Sequence, residues 1–230
     1  MRDKKPISKL VCFTDPKTPA AEAFRTLRTN IQFASYGEFQ KSLMITSAEP
    51  GEGKTTTITN LAIVLAQSGL NLLLLDGDMR KPALHRVFRL NNEQGLSDLL
   101  CHRAGIEEVT QRISDIGIDV ITAGPIPPSP AELISTQRMR VILEQLKERY
   151  DMVLIDTPPI LPVTDSQLFA TFVHGVLLVV RSGKVKLAHV KKAKSLLEHV
   201  GANLIGAVLN DKKVSKNSSY YYEYAEKNSR

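Results

Sequence analysis

The stretch SLMITSAEPGEGKTTT, running from Ser42 to Thr57, decides the fold. Its first half is mostly apolar and strand-like, its middle is a turn rich in Gly and Pro, and a helix pattern begins at Lys54. A loop that closes in Gly-Lys-Thr turns several backbone N–H groups and a helix N-terminus toward one point, which suits polyphosphate. Lys54 then reaches the terminal phosphates, and the Thr55 hydroxyl reaches magnesium. The full pattern G-x-x-x-x-G-K-[ST] asks for glycine at position 48, where this chain has Ala48. The closing Gly53-Lys54-Thr55, where phosphate approaches most closely, is intact.

Two further runs end in aspartate: LLLLDGDMRKP, from Leu72 to Pro82, and MVLIDTPP, from Met152 to Pro159. A strand ending in Asp before a turn is ordinary by itself. Together with the loop, Asp76, Asp78 and Asp156 supply the carboxylates that a Mg·ATP site requires. The nucleotide-binding set is Gly51, Glu52, Gly53, Lys54, Thr55 and Thr56, and Thr55, Asp78 and Asp156 are the magnesium candidates.

Around these motifs strands alternate with helices. Residues 42–47, 71–76, 118–122, 152–156, 176–180 and 204–210 are short runs rich in Leu, Ile and Val without clear alternation, as in strands buried on both faces. Helical patterns cover 54–67, 131–149, 165–172 and 187–200, with Gly69 and Gly201 as C-terminal stops. The order predicts an α/β fold: a doubly wound, mostly parallel sheet with helices on both faces, of P-loop NTPase type. Its ligand site lies beyond the carboxyl ends of the strands, where Gly53 and the aspartates sit. Three units are expected: an N-terminal segment and helix over 1–36, the P-loop domain over 37–210 and a flexible tail over 211–230.

Composition narrows the classes. The 230 residues suit one large α/β domain, and no apolar run approaches the roughly 18 residues of a membrane span. The charged N-terminus lacks a signal-peptide core, so a cytoplasmic protein is expected. Cys12 and Cys101 are too few for a disulfide framework, and neither has metal-type spacing to a histidine. The net charge of +6 is uneven: from Arg181 onward 11 Lys and Arg face 4 Asp and Glu, which leaves residues 1–180 at −1. Such a basic end can meet an anionic membrane, nucleic acid or an acidic partner. Alternatively Lys191, Lys192 and Lys194 are the solvated face of a helix that buries Val190, Leu196, Leu197 and Val200.

At the N-terminal side, Thr18-Pro19 reads as a cap and first helical residue. Ala23, Phe24, Leu27, Ile31 and Ala34 form its apolar stripe, and Glu22, Arg25 and Arg28 a separate charged face. On spacing alone, that face is a surface ion-pair ladder. At the other end a polar segment leads to Tyr220, Tyr221, Tyr222 and Tyr224, four of the six tyrosines. Tyrosine usually hides most of its ring, so a cluster on a charged tail reads as a tethered peptide substrate, or else as an added edge strand.

Over nearly its whole length the chain resembles the cytoplasmic bacterial tyrosine kinases, or BY-kinases, of capsule and exopolysaccharide synthesis. The likeness rests on Glu22-x-x-Arg25-x-x-Arg28, TSAEPGEGKTTT, LLLLDGDMRKP, GPIPPSPAELI, MVLIDTPP with PVTD, and the terminal tyrosines. It implies an ATP- and Mg2+-dependent tyrosine kinase that autophosphorylates its tyrosine cluster in trans. It assigns Lys54, Asp76 and Asp78 to catalysis, with Asp76 the candidate to accept the tyrosine proton and Asp78 able to exchange roles with it. It turns Glu22, Arg25 and Arg28 into a contact in a homo-oligomeric ring and brings Asn210 to the adenine. It also implies protein tyrosine substrates, a membrane-anchored activator of polysaccharide export that holds the kinase at the inner face of the membrane, and no nucleic acid. The rival is a regulatory switch that binds or hydrolyses ATP without kinase activity. One such family usually has lysine where this chain has Glu49, and it has no tyrosine tail.

Overall fold

The computed structural model describes residues 10–34 and 40–212. In chain order the elements are α1 (Val11–Thr14), α2 (Pro19–Ala34), β1 (Ser42–Ser47), α3 (Lys54–Ala66), β2 (Leu72–Asp76), α4 (Leu84–Phe88), α5 (Leu96–Leu100), α6 (Ile106–Val109), β3 (Thr110–Ile113), β4 (Ile118–Ile121), α7 (Pro130–Ile134), α8 (Gln137–Arg149), β5 (Met152–Asp156), α9 (Asp165–Ala170), β6 (Gly175–Arg181), α10 (Leu187–His199) and β7 (Leu204–Asn210). The terminal tyrosines lie outside the described residues.

The strands form one sheet in the order β3-β4-β2-β5-β1-β6-β7, parallel throughout except for β3 against β4. Side chains alternate between its faces. Leu72, Leu74, Met152 and Leu154 pack with α1, α2, α3 and α4, whereas Leu73, Leu75, Val153 and Ile155 pack with α5 through α10. Because both layers are apolar, the central strands read as unbroken hydrophobic runs. Each fully buried Leu or Ile contributes about 1.5–3 kcal/mol. The same alternation carries past the apolar residues: Asp76 and Asp156, two positions beyond Leu74 and Leu154, fall on the α3 side.

The doubly wound sheet is as expected, with differences of detail. The helix expected over 131–149 is two, α7 and α8. The chain breaks at Ser135-Thr136, where the Thr136 hydroxyl accepts from the Met139 amide at 3.4 Å and starts a new helix. In α2 the Thr18 hydroxyl accepts from the Ala21 amide, as expected of a cap. The buried stripe is rotated, however: Ala21 and Ile31 are buried beside half-buried Phe24 and Leu27, while Ala23 and Ala34 are exposed. Arg28 therefore sits at the edge of the packed face, and its guanidinium donates to the Val64 carbonyl of α3 at 3.1 Å. Glu22 and Arg25 do pair, at 2.6 Å. The antiparallel β3 and the short α1, α4, α5 and α6 had no clear sequence signal. TQRI is four residues with a single apolar one, and helices of four or five residues are too short for a period to show.

Among the described residues, no helix is long and apolar enough to cross a membrane.

One close approach fixes the layer on the side of β4. The amides of Leu96 and Ser97 donate to the carbonyls of Thr122 and Ala123. A Cβ on Gly95 would then lie 2.2 Å from the Thr122 oxygen and 2.3 Å from the Gly124 nitrogen. Both are backbone atoms that cannot swing aside. We expect Gly95→Ala to lower the melting temperature by about 5–10 °C in a thermal scan, the cost of overpacking in a domain of this size.

Candidate active site

The loop between β1 and α3 owes its shape to two left-handed glycines, Gly51 at φ 78° and Gly53 at φ 95°. Gly53 is doubly constrained, because a Cβ there would meet the Asn210 amide nitrogen at 2.0 Å. Asn210, at the end of β7, donates from that nitrogen to the Glu52 carbonyl at 2.8 Å. Ala48 needs no glycine. Its φ is not positive, it is buried, and its carbonyl accepts from the Leu161 amide.

The Glu52 side chain braces this loop from behind. It is 1 % exposed and accepts from the amides of Glu49 at 2.6 Å and Arg181 at 3.0 Å. Arg181 in turn donates to the Gly51 carbonyl and pairs with Asp211. Glu49 pairs with His189 of α10 at 2.6 Å. Glu52 thus faces the protein, and only its main chain is left for a phosphate.

Register explains where the carboxylates go. Asp76 and Asp156 are direct partners on the adjacent parallel strands β2 and β5, and Asp156 is also level with Ile45 of β1, just before the loop. Both are buried. Oδ2 of Asp156 accepts from the Thr55 hydroxyl at 2.5 Å, and Oδ2 of Asp76 accepts from the amides of Ala83 and Leu84 at 3.0 Å each. In each case the other oxygen is buried without a hydrogen-bond partner. Asp78 is half-buried, with one oxygen accepting from the Lys81 amide at 3.0 Å.

Two orphaned, buried carboxylate oxygens beside a threonine hydroxyl suit a small hard cation. Among the described residues no preformed group of three or more His, Cys, Asp or Glu surrounds such an ion. This fits magnesium, which uses one or two carboxylates and takes its other ligands from water and phosphate. Thr55, Asp156 and Asp78 would hold it.

The electrostatics match. Burial, and next the charge of Asp76, push Asp156 up to about 7 against the Thr55 hydrogen bond and Lys54. Burial pushes Asp76 up to about 6, chiefly against the amides of Leu84 and Ala83. Burial also holds the Lys54 ammonium below the ordinary lysine range, with Asp156, Asp78 and Glu52 partly opposing. Lys54 is 9 % exposed and is thus a nearly dry cation next to carboxylates that want one.

Comparison with known proteins agrees. Residues 40–201 match a family model described as AAA domain. The chain is 46 % identical over 213 residues to the tyrosine-protein kinase YwqD of Bacillus subtilis (strain 168), covering 93 % of this chain and 90 % of that protein. It is 42 % identical over 225 residues to the putative tyrosine-protein kinase CapB of Staphylococcus aureus, covering 98 % and 99 %. The chain belongs to the bacterial tyrosine-protein kinase family. The solved structure of the chimerical protein CapA2B2 matches with a TM-score of 0.86 at 43 % identity, over 90 % of this chain and 91 % of that one.

For this tyrosine kinase, the fold brings together Gly51, Gly53, Lys54, Thr55, Asp76, Asp78, Asp156 and Asn210. Among the described residues the Thr56 side chain has no hydrogen-bond partner, and Glu22, Arg25 and Arg28 lie on α2. Sequence reasoning missed a positioning pair: Arg80 grips buried Asp165 with two bonds, at 2.8 and 2.9 Å. This pair ties the loop after Asp78 to the start of α9, beyond Asp156. The signal was available in the MRKP and PVTD segments, but nothing in a sequence says that two charges 85 residues apart will meet.

The raised carboxyls have a thermodynamic sign. From the ordinary value of 3.8 up to about 7, the folded protein binds more protons than the unfolded chain, so these groups make stability fall as pH rises through that window. We expect the metal-free protein to melt higher at pH 5.5 than at pH 8, with Mg·nucleotide narrowing the difference. Asp156→Asn should flatten the slope and raise the metal-free melting temperature at pH 8 by about 2 °C or more.

Proposed function

We propose that the chain transfers the γ-phosphoryl group of ATP to tyrosine, first to Tyr220, Tyr221, Tyr222 and Tyr224 of a neighbouring subunit, and thereby regulates capsule or exopolysaccharide synthesis. The observation that carries the reading is the pair of orphaned carboxylate oxygens beside Thr55 at the end of the phosphate loop, in a member of the tyrosine kinase family. The amides of residues 51–55 and Lys54 hold the β- and γ-phosphates. Asn210, already against Gly53, marks the adenine end. Magnesium, when bound, neutralises charge on the phosphate oxygens.

A phenol of pKa about 10 is a poor nucleophile at neutral pH, so a carboxylate aimed at its proton matters. Asp76 is our choice. Two amides fix one of its oxygens and leave the other free. The Asp78 oxygen nearest the turn is already taken by Lys81. The tyrosine oxygen attacks phosphorus, the bond to the β–γ bridging oxygen breaks, ADP leaves, and the phenolic proton passes to Asp76.

The tail is the tethered acceptor. Ten residues from Asn210 to Tyr220 span at most about 35 Å, enough to enter an adjacent subunit. Glu22 and Arg25 of α2 form the contact in a homo-oligomeric ring, while Arg28 also holds α2 to its own α3. A membrane-anchored partner supplies a cytoplasmic segment that docks near the nucleotide site and raises a low basal rate. Through it the kinase sits at the inner face of the membrane. Each added phosphate brings about −1.5 to −2 charges, and repulsion then releases the tail and loosens the ring.

Phosphotyrosine blotting with ATP·Mg2+, with and without such a segment, is the test. Lys54→Met should cut labelling by about 100-fold or more while the protein stays folded. Labelling at the wild-type rate would show the site to be misassigned. Glu22→Ala with Arg25→Ala, leaving Arg28 in place, should give a folded monomer by light scattering that binds ATP and labels itself poorly. An unphosphorylated wild type that is monomeric at high concentration would count against the ring.

A further inference from the structure

A cavity of about 550 Å³ opens at the turn that follows Asp78, lined by Arg80, Lys81, His85 and Arg86 on one side and by Gly124 and Ile126 on the other. Strand order gives its position. Along the carboxyl edge of the sheet run Asn210 on β7, the phosphate loop after β1, Asp156 on β5, Asp76 on β2 and then the loop after β4. The cavity lies between the ends of β2 and β4, on the far side of the aspartates from Asn210. A nucleotide lying from Asn210 to Lys54 presents its γ-phosphate toward this end, so the acceptor enters here.

Both walls are held in place. The turn that carries the basic side chains is tied to Asp76 itself through the amides of Ala83 and Leu84, and Arg86 donates to the Pro82 carbonyl. Opposite, Asn92 bonds Gly124 twice, donating to its carbonyl at 2.9 Å and accepting from its amide at 3.0 Å. The charge on Arg80 is matched by Asp165. Among the described residues no carboxylate pairs with Lys81 or Arg86, and both are exposed. The cavity therefore carries unbalanced positive charge. Ile126, 64 % exposed, adds an apolar lip for an aromatic ring.

We infer that this cavity is an anion subsite for the phosphoacceptor peptide, which takes a carboxylate or phosphate carried one to three residues from the reacting tyrosine. The inference rests on the kinase reading and specifies its acceptor. The spacing follows from the chain: Lys81 is three residues past Asp78 in a tight turn, a gap that an extended peptide crosses in about two or three residues. The chain's own tail meets the requirement, since Glu223 stands two residues from Tyr221 and three from Tyr220. A phosphotyrosine carries more charge than glutamate. The first phosphate placed on the cluster therefore improves the acceptor for the next transfer, and labelling becomes self-reinforcing until repulsion intervenes.

The test uses the full chain, with an activating segment if basal transfer is low, and synthetic peptides with one acceptor tyrosine flanked by glutamate, phosphotyrosine, glutamine or lysine. Wild type should prefer either anionic peptide over the glutamine peptide by about tenfold in kcat/KM, mostly through KM. The glutamate and phosphotyrosine arms show which anion is taken. Lys81→Glu with Arg86→Glu should reverse the order toward the lysine peptide. Fluorescence anisotropy of a labelled phosphotyrosine peptide, without nucleotide, should show binding about tenfold weaker in that variant. If the double charge reversal unfolds the protein in a thermal scan, Lys81→Gln with Arg86→Gln serves, and the anionic preference should vanish. A variant that keeps the wild-type preference ratio, or a wild type with no preference, overturns the subsite and leaves the kinase reading intact. Failure to label any peptide or the tail under any condition overturns the kinase reading, and the anisotropy comparison still judges the subsite.

Discussion

Asp76 and Asp156 stand on adjacent strands, in register, out of water, each with one oxygen that no donor reaches. Burial strips both carboxylates of hydration, which is the main reason both hold protons more tightly than usual, and the charge of Asp76 adds to the effect at Asp156. The arrangement is costly to the folded chain and is relieved by a cation, so the site is made receptive at the expense of stability. Most of the surrounding structure keeps this pair from relaxing. Thr55 and the amides of Ala83 and Leu84 hold one oxygen of each carboxylate, and the parallel ladder holds both strands.

The loops around the pair are cross-braced from distant parts of the chain. Glu52 anchors the phosphate loop to the end of β6, Asn210 closes it from β7, and Arg80 links the loop after β2 to α9. These contacts confer rigidity where phosphoryl transfer depends on positioning. They also leave the cavity beside Asp78 with firm walls, so its charge is presented in a fixed geometry.

Much of the sheet and site was legible in the sequence because both depend on local rules. Strands buried on two faces must be apolar throughout, and a phosphate loop needs glycines where φ is positive, so Ser42–Ser47, Gly53 and the strand-terminal aspartates announced themselves. What could not be read depends on packing angle or distant pairing. The phase of α2 is set by the surface of α3, which brings Ala21 inward and Ala23 outward and gives Arg28 a carbonyl partner. The break at Thr136 is a cap in a segment whose apolar period continues on both sides. The Arg80–Asp165 pair and the buried role of the Glu52 side chain require knowing which loops are neighbours. Even the missing first glycine was readable only afterwards, when Ala48 proved to be a buried residue that needs no unusual φ.

The bond from Asn210 to the Glu52 carbonyl joins residues 158 positions apart, and those from Arg181 to the same loop join residues about 130 apart. During synthesis the loop emerges well before β6 and β7, the strands that shape it. A nascent fragment can pair β1 with β5, but it has no Asn210 to set against Gly53. Contacts of such separation in sequence also slow folding from the free chain. Nucleotide binding thus waits for β6 and β7, and products that stop before Asn210 lack a finished phosphate loop.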